Sequence, residues 1–134
     1  MILFICTGNT CRSPMAQAIA ALHGVEAASA GLSALPGAPA TPQAQRAVRA
    51  LGGDLSRHLA RQVSEEMMAQ AEKVFPMTQA HALMLARLFP AHAHKIHLLS
   101  PQIPDPFGGD DAVYAQCAGQ LLLALQNARL ISCP

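Results

Sequence analysis

Residues 1–18, MILFICTGNTCRSPMAQA, decide the fold. Ile2–Ile5 is an unbroken apolar run of the kind that forms a strand buried on both faces. From Ser13 the period changes. Pro14 suits the first turn of a helix, and Met15, Ala18, Ile19 and Leu22 then share one face. Gly24 ends that helix. Between strand and helix lies CTGNTCRS, residues 6–13, with two cysteines, a glycine, an arginine and no carboxylate. A strand that enters a helix through a glycine-containing loop is an anion-binding arrangement. The loop amides converge, and the helix dipole adds roughly half a positive charge.

The alternation continues along the chain. Val25–Ala30, Lys73–Met77 and Ile96–Leu99 read as three further short strands, with Pro76 suited to a strand end. Thr41 caps a helix with Pro42 at its first position, running to Leu51. Ser64 opens another, with Glu65 and Glu66 in its positive first turn. Gln79–Leu88 is helical and closed by Pro90, and Asp110 or Asp111 caps a final helix reaching Asn127. Leu32–Pro42 and Ser100–Asp110 are loops. Residues 1–134 therefore predict a single α/β domain, a small doubly wound sheet of four parallel strands with helices on both faces and flavodoxin-like order. In such folds ligands gather at the carboxyl ends of the strands.

Composition narrows the function. Of the 134 residues, 51% are hydrophobic and 13% charged, and the formal net charge is +1. That is no footprint for nucleic acid or an anionic membrane, so anion recognition must come from one built site. Met1–Ile5 is too short for the apolar core of a signal peptide, and the expectation is a soluble, cytosolic protein. Cys6, Cys11, Cys117 and Cys133 are then expected as thiols. No Cys-x-x-Cys is present, and among His92, His94 and His97 the last has opposite strand parity, so no metal site is expected.

Within the opening loop, Gly8 permits a turn that a side chain would resist. The planar fork of Arg12 matches two oxygens of a phosphoryl group. Cys6 sits at the base of the cradle, where amides, dipole and guanidinium favour the reactive thiolate, and a Ser13 hydroxyl can donate to the same sulfur. One loop would both hold an anion and supply a nucleophile for it.

Cys6-x5-Arg12-Ser13, in the form CTGNTCRSPMAQA, resembles the phosphate-binding loop of the low-molecular-weight protein tyrosine phosphatases. Ser29-Ala-Gly31, Asp54-Leu-Ser56 with His58 and Arg61-Gln62, Met77-Thr78 with His81, and Asp105-Pro-Phe-Gly-Gly109 fall in the family's order. The resemblance implies a cysteine-dependent phosphatase that needs no cofactor. By it, Cys6 attacks phosphorus and forms a phosphocysteine. The amides of Thr7, Gly8, Asn9, Thr10, Cys11 and Arg12, with the Arg12 guanidinium, hold the phosphoryl oxygens. Asp105 protonates the leaving group and later activates water. Asn9 pins the loop through Ser29, and Ser13 stabilises the departing sulfur. His81 reads as structural rather than catalytic. The expected partners are phosphorylated proteins, with neither nucleic acid nor membrane, and the chain is expected to act as a monomer.

Two positions bear on the substrate. Tyrosine phosphatases of the family usually carry a bulky aliphatic residue where Thr10 stands, and Asp-Pro-Tyr where this chain has Asp105-Pro106-Phe107. Thr10 with DPFGG resembles the bacterial branch that removes phosphate from arginine in proteins. That resemblance implies Thr10 and Phe107 as specificity residues, with Asp105 also pairing to the substrate guanidinium. The alternative is a protein tyrosine phosphatase. Arsenate reductases share the loop, but the thioredoxin-coupled kind needs two further cysteines in the second half of the chain, and residues 78–100 contain none. Cys11 is either a packed loop thiol or a partner for a reversible disulfide with Cys6.

Overall fold

The computed structural model describes residues 1–132. Its elements, in chain order, are β1 (Ile2–Cys6), α1 (Arg12–Leu22), β2 (Ala27–Gly31), α2 (Pro42–Ala50), α3 (Glu65–Gln70), β3 (Lys73–Pro76), α4 (Gln79–Leu88) and α5 (Asp111–Asn127). A 3₁₀ turn over Pro90–Lys95 follows α4. The strands are parallel in the order β2-β1-β3, with Phe4 of β1 aligned with Ser29 on one side and Phe75 on the other.

The unbroken run at the start of the chain follows from this central place. Successive side chains of a strand point to opposite faces. Phe4 and Cys6 enter a core with Met15 and Ile19 of α1 and Leu121 and Leu125 of α5. Leu3 and Ile5 enter a second core with Met68 of α3 and Leu85 of α4. With helices on both sides, neither face of β1 sees water, and a polar residue anywhere in Leu3–Ile5 would be stranded. Each such fully buried Leu, Ile, Met or Phe contributes about 1.5–3 kcal/mol.

Side-chain caps set the helix starts. Thr41 accepts from the Ala44 amide at 3.2 Å, Ser64 from Met67 at 3.2 Å, Thr78 from His81 at 3.3 Å and Asp110 from Val113 at 3.0 Å. Each cap stabilises its helix by about 1 kcal/mol. Helix α1 differs: its N-cap, Cys11, makes no side-chain capping bond. The first amides of α1 are left for something else to satisfy.

The expected fourth strand does not form. Ile96 makes one isolated parallel bridge to Val74, with the His97 amide donating to the Val74 carbonyl at 2.9 Å, and the pairing stops there. In a parallel ladder alternate residues face one neighbour, so the next rung would need an N–H at position 76. Proline has none. Beyond it the chain turns at Ser100-Pro101, leaving Leu98 half exposed. The sheet therefore has three strands rather than four. Its second strand also begins at Ala27, not Val25, and runs on to Gly31.

Cys6, Cys11 and Cys117 are free and buried, and Cys133 lies outside the described residues. Burial pushes the Cys117 thiol up to about 12, which leaves it protonated and unreactive. No helix among the described residues is long and apolar enough to cross a membrane.

Candidate active site

The loop joining β1 to α1 sits at the carboxyl end of the central strand. Five of its carbonyls are tied to partners outside its centre. Cys6 O accepts from the Leu32 amide at 3.0 Å, Thr7 O from Ser33 at 2.9 Å, Thr10 O from Thr41 at 3.0 Å and Cys11 O from Met15 at 3.1 Å. Asn9 O accepts from His58 Nε2 at 2.7 Å. A peptide whose carbonyl is tied outward presents its neighbour's N–H inward. Among the described residues, the amides of residues 7–12 donate to no protein acceptor. The result is a ring of convergent donors at an uncapped helix N-terminus, a ready anion site.

Asn9 holds this shape. It has φ +58°, in the left-handed region that asparagine tolerates better than most residues, and it is fully buried. Its Nδ2 donates to Ser13 Oγ at 2.8 Å and to Ser29 Oγ at 3.0 Å, and its Oδ1 accepts from the Arg61 amide at 2.9 Å. Ser29 Oγ in turn donates to Gln17 at 2.6 Å. Burial pulls the His58 pKa below its ordinary value of 6.5, so the ring stays neutral with its proton on Nε2, facing the Asn9 carbonyl. Gly31 lets the loop lie this close to β2. A Cβ there would stand 2.5 Å from the Thr7 carbonyl oxygen and 3.1 Å from the Asn9 nitrogen.

Cys6 is buried, and its Sγ lies 2.9 Å from Ser13 Oγ. Ser13 Oγ accepts from Asn9, and its own proton has two acceptors within reach, the Cys6 sulfur at 2.9 Å and the Ala30 carbonyl at 3.5 Å. Arg12 is buried, with one guanidinium nitrogen bonded to the Ile103 carbonyl at 3.1 Å and another 3.8 Å from the Asp105 carboxylate. Asp105 is more than half exposed, and its Oδ1 accepts from the Phe107 amide at 3.0 Å, a turn that fixes both residues at the rim. A cavity of about 260 Å³ is lined by Cys6, Thr7, Gly8, Thr10, Cys11, Arg12, Asp105 and Phe107. Asn9, Ser13 and Ser29 stand behind the loop and support it. A larger, mostly apolar cavity of about 570 Å³ beside α1, α5 and the end of α2 carries His23, Gln126 and Ser132 but no cysteine, arginine or carboxylate, so among the described residues the nucleophile, cation and acid of an anion site come together only at the smaller one.

The structure thus gathers the expected site residues in one place. Several contacts behind it were not legible. In the sequence His58 and Arg61 are motif positions without a role, and in the fold both close on Asn9. Tyr114, buried on α5, lies 3.3 Å from Cys11 Sγ, and burial with that contact pushes its hydroxyl up to about 12. The only hint in sequence was a lone tyrosine in an apolar helix, which is equally the mark of a core residue.

Residues 1–128 match the family model described as low molecular weight phosphotyrosine protein phosphatase. A protein-arginine-phosphatase of Bacillus subtilis is 38% identical, covering 90% of this chain and 88% of the relative. The low molecular weight protein-tyrosine-phosphatase Ptp of Acinetobacter johnsonii is 32% identical over 84% of each. Among solved structures, a cysteine-to-serine mutant of the arginine phosphatase YwlE with a phosphorylated active-site serine superposes with a TM-score of 0.90 at 34% identity. It covers 95% of this chain and 91% of that one. Vibrio vulnificus Wzb, in complex with benzylphosphonate, gives 0.89 at 26% identity, with 95% and 94% covered. The anion ring, the sulfur at its centre and these likenesses agree: the chain belongs to the low molecular weight protein phosphatase family and is a hydrolase.

Proposed function

We propose that this enzyme removes phosphate from arginine side chains of proteins, through a phosphocysteine on Cys6. The observation that carries the substrate choice is Thr10 on the wall of the cavity that Asp105 and Phe107 also line. A short, polar side chain there leaves room beside the phosphoryl group for a planar guanidinium. The 38% identity to a protein-arginine-phosphatase supports the same reading.

The steps balance as follows. The Cys6 thiolate forms a bond to phosphorus as the phosphorus–nitrogen bond breaks. Asp105 gives a proton to the departing guanidine nitrogen, and its carboxylate then pairs with the guanidinium so formed. The amides of residues 7–12 and Arg12 hold the three equatorial oxygens, whose charge they neutralise without reorganising. Water next attacks the phosphocysteine and loses a proton to Asp105. The sulfur–phosphorus bond breaks, inorganic phosphate leaves, and the Ser13 hydroxyl donates to the emerging thiolate. Splitting the transfer in two lets one sulfur serve first as nucleophile and then as leaving group. Phe107, three-quarters exposed, provides an apolar wall for the aliphatic stem of the substrate.

The test is kcat/KM on matched phosphoarginine and phosphotyrosine peptides, for the parent enzyme and Thr10→Ile. The parent should prefer phosphoarginine, and the added bulk should shift the ratio toward phosphotyrosine by about tenfold or more. A parent that prefers phosphotyrosine refutes the substrate assignment, and an unchanged ratio in Thr10→Ile removes Thr10 from its basis.

A further inference from the structure

The anion loop is braced from several elements of the fold. Towards β2, Asn9 is held by Ser13, Ser29, His58 and Arg61. Towards β3 and α4, one side-chain hydrogen bond among the described residues reaches the loop: His81 Nε2 lies 2.9 Å from Thr7 Oγ1. His81 sits in the first turn of α4 and is 9% exposed. Its Nδ1 is 3.1 Å from Thr78 Oγ1, and its own backbone amide donates to that same oxygen at 3.3 Å.

These partners hold the ring from both sides. Thr78 Oγ1 caps α4 by accepting from the His81 amide and pairs with Nδ1, while Nε2 pairs with Thr7 Oγ1. Burial, and then the neighbouring Arg12 charge, pull the pKa of the ring below 6.5. In either neutral tautomer one ring nitrogen donates and the other accepts, so the imidazole links the helix cap to Thr7. Thr7 is the residue directly after Cys6, its amide is the first in the ring, and its side chain lines the cavity. With Oγ1 anchored on His81 Nε2 at 2.9 Å, the Thr7 rotamer is fixed.

We propose that His81 is a positioning residue of the phosphatase reaction: through Thr7 Oγ1 it fixes the first corner of the anion ring beside the nucleophile. The helix cap at Thr78 orients the imidazole, the imidazole orients Thr7, and Thr7 orients the first amide. This inference rests on the ring holding phosphate, as proposed above, but not on which phosphorylated residue is the substrate.

A generic substrate, p-nitrophenyl phosphate, and inhibition by inorganic phosphate test it without reference to substrate preference. His81→Ala and Thr7→Val should each lower kcat/KM about tenfold and weaken phosphate inhibition, the effect expected for one lost orienting hydrogen bond. The double variant should be no worse than either single one, because both remove the same contact. His81→Gln, whose amide nitrogen can take the place of Nε2, should recover most of the loss. Losses that multiply in the double variant would refute the inference, as would a His81→Gln enzyme no better than His81→Ala. So would an alanine variant with parental kcat/KM and phosphate inhibition. A parent enzyme that phosphate does not inhibit would refute the ring itself and this inference with it.

Discussion

Replacing Asn9 by alanine probes the part of the site on which the rest leans. The substitution deletes three buried side-chain hydrogen bonds, to Ser13, Ser29 and the Arg61 amide, at 2.8, 3.0 and 2.9 Å. Each is worth about 1 kcal/mol net, and partners left unpaired in a buried position raise the total, so a loss of about 3–4 kcal/mol is expected. The left-handed backbone at φ +58° acts in the same direction, since alanine holds it less well than asparagine. With about 2.1 cal/mol/K of unfolding entropy per residue, a chain of 134 residues should lose about 11–14 °C in melting temperature. Stability alone would not distinguish a support of the site from any other core contact, so kcat/KM on p-nitrophenyl phosphate must be read below the variant's own transition. There the folded variant should still be impaired at least tenfold, because the ring amides next to Asn9 lose their direction. Scanning calorimetry and steady-state kinetics on the same preparation make the comparison. A melting temperature within 3 °C of the parent, or full activity in the folded variant, would refute the reasoning.

Two further outcomes follow from the same support. Gly31→Ala should cut kcat/KM sharply while leaving the helices intact by circular dichroism, because its Cβ cannot occupy a point 2.5 Å from the Thr7 carbonyl without moving the loop; parental kinetics would contradict this. Burial lowers the pKa of His58 below 6.5, so the unfolded chain binds the proton first as pH falls. Stability should therefore be flat above about pH 7 and decline as pH drops through 6.5 and below. His58→Gln should flatten that decline in melts between pH 5 and 8, and an unchanged slope would exclude His58 as its source.

What was legible in the sequence was local. The run Ile2–Ile5, the change of period at Ser13 and the loop between them need only neighbouring residues to be read, and Thr41, Ser64 and Asp110 mark helix starts by bonds spanning three residues. The fourth strand failed because its existence depended on a partner's missing amide at Pro76, some twenty residues upstream of Ile96. The same distinction divides the site. Cys6 and Arg12 announce themselves by residue type and spacing. Gly31, His58, Arg61 and Tyr114 act by touching the loop from elsewhere in the fold, and a lone glycine or histidine in sequence carries no sign of that.

The loop motif is thus necessary for the anion ring but cannot make it alone. A stretch of eight residues with free carbonyls would satisfy itself by local turns, and its amides would be consumed. Here the carbonyls of Cys6, Thr7, Asn9 and Thr10 are taken by Leu32, Ser33, His58 and Thr41, from segments that only the folded sheet and α2 bring together. The amides are then left over, facing inward, and the helix behind them has no cap to compete. Binding free energy for a phosphoryl group is in this way set aside during folding rather than spent on ordering the loop when substrate arrives. A change that frees one of those outward carbonyls should weaken phosphate binding even when the altered residue lies well away from the cavity, whereas a change at the rim, at Thr10 or Phe107, should alter which substrate is chosen and leave inorganic phosphate almost indifferent.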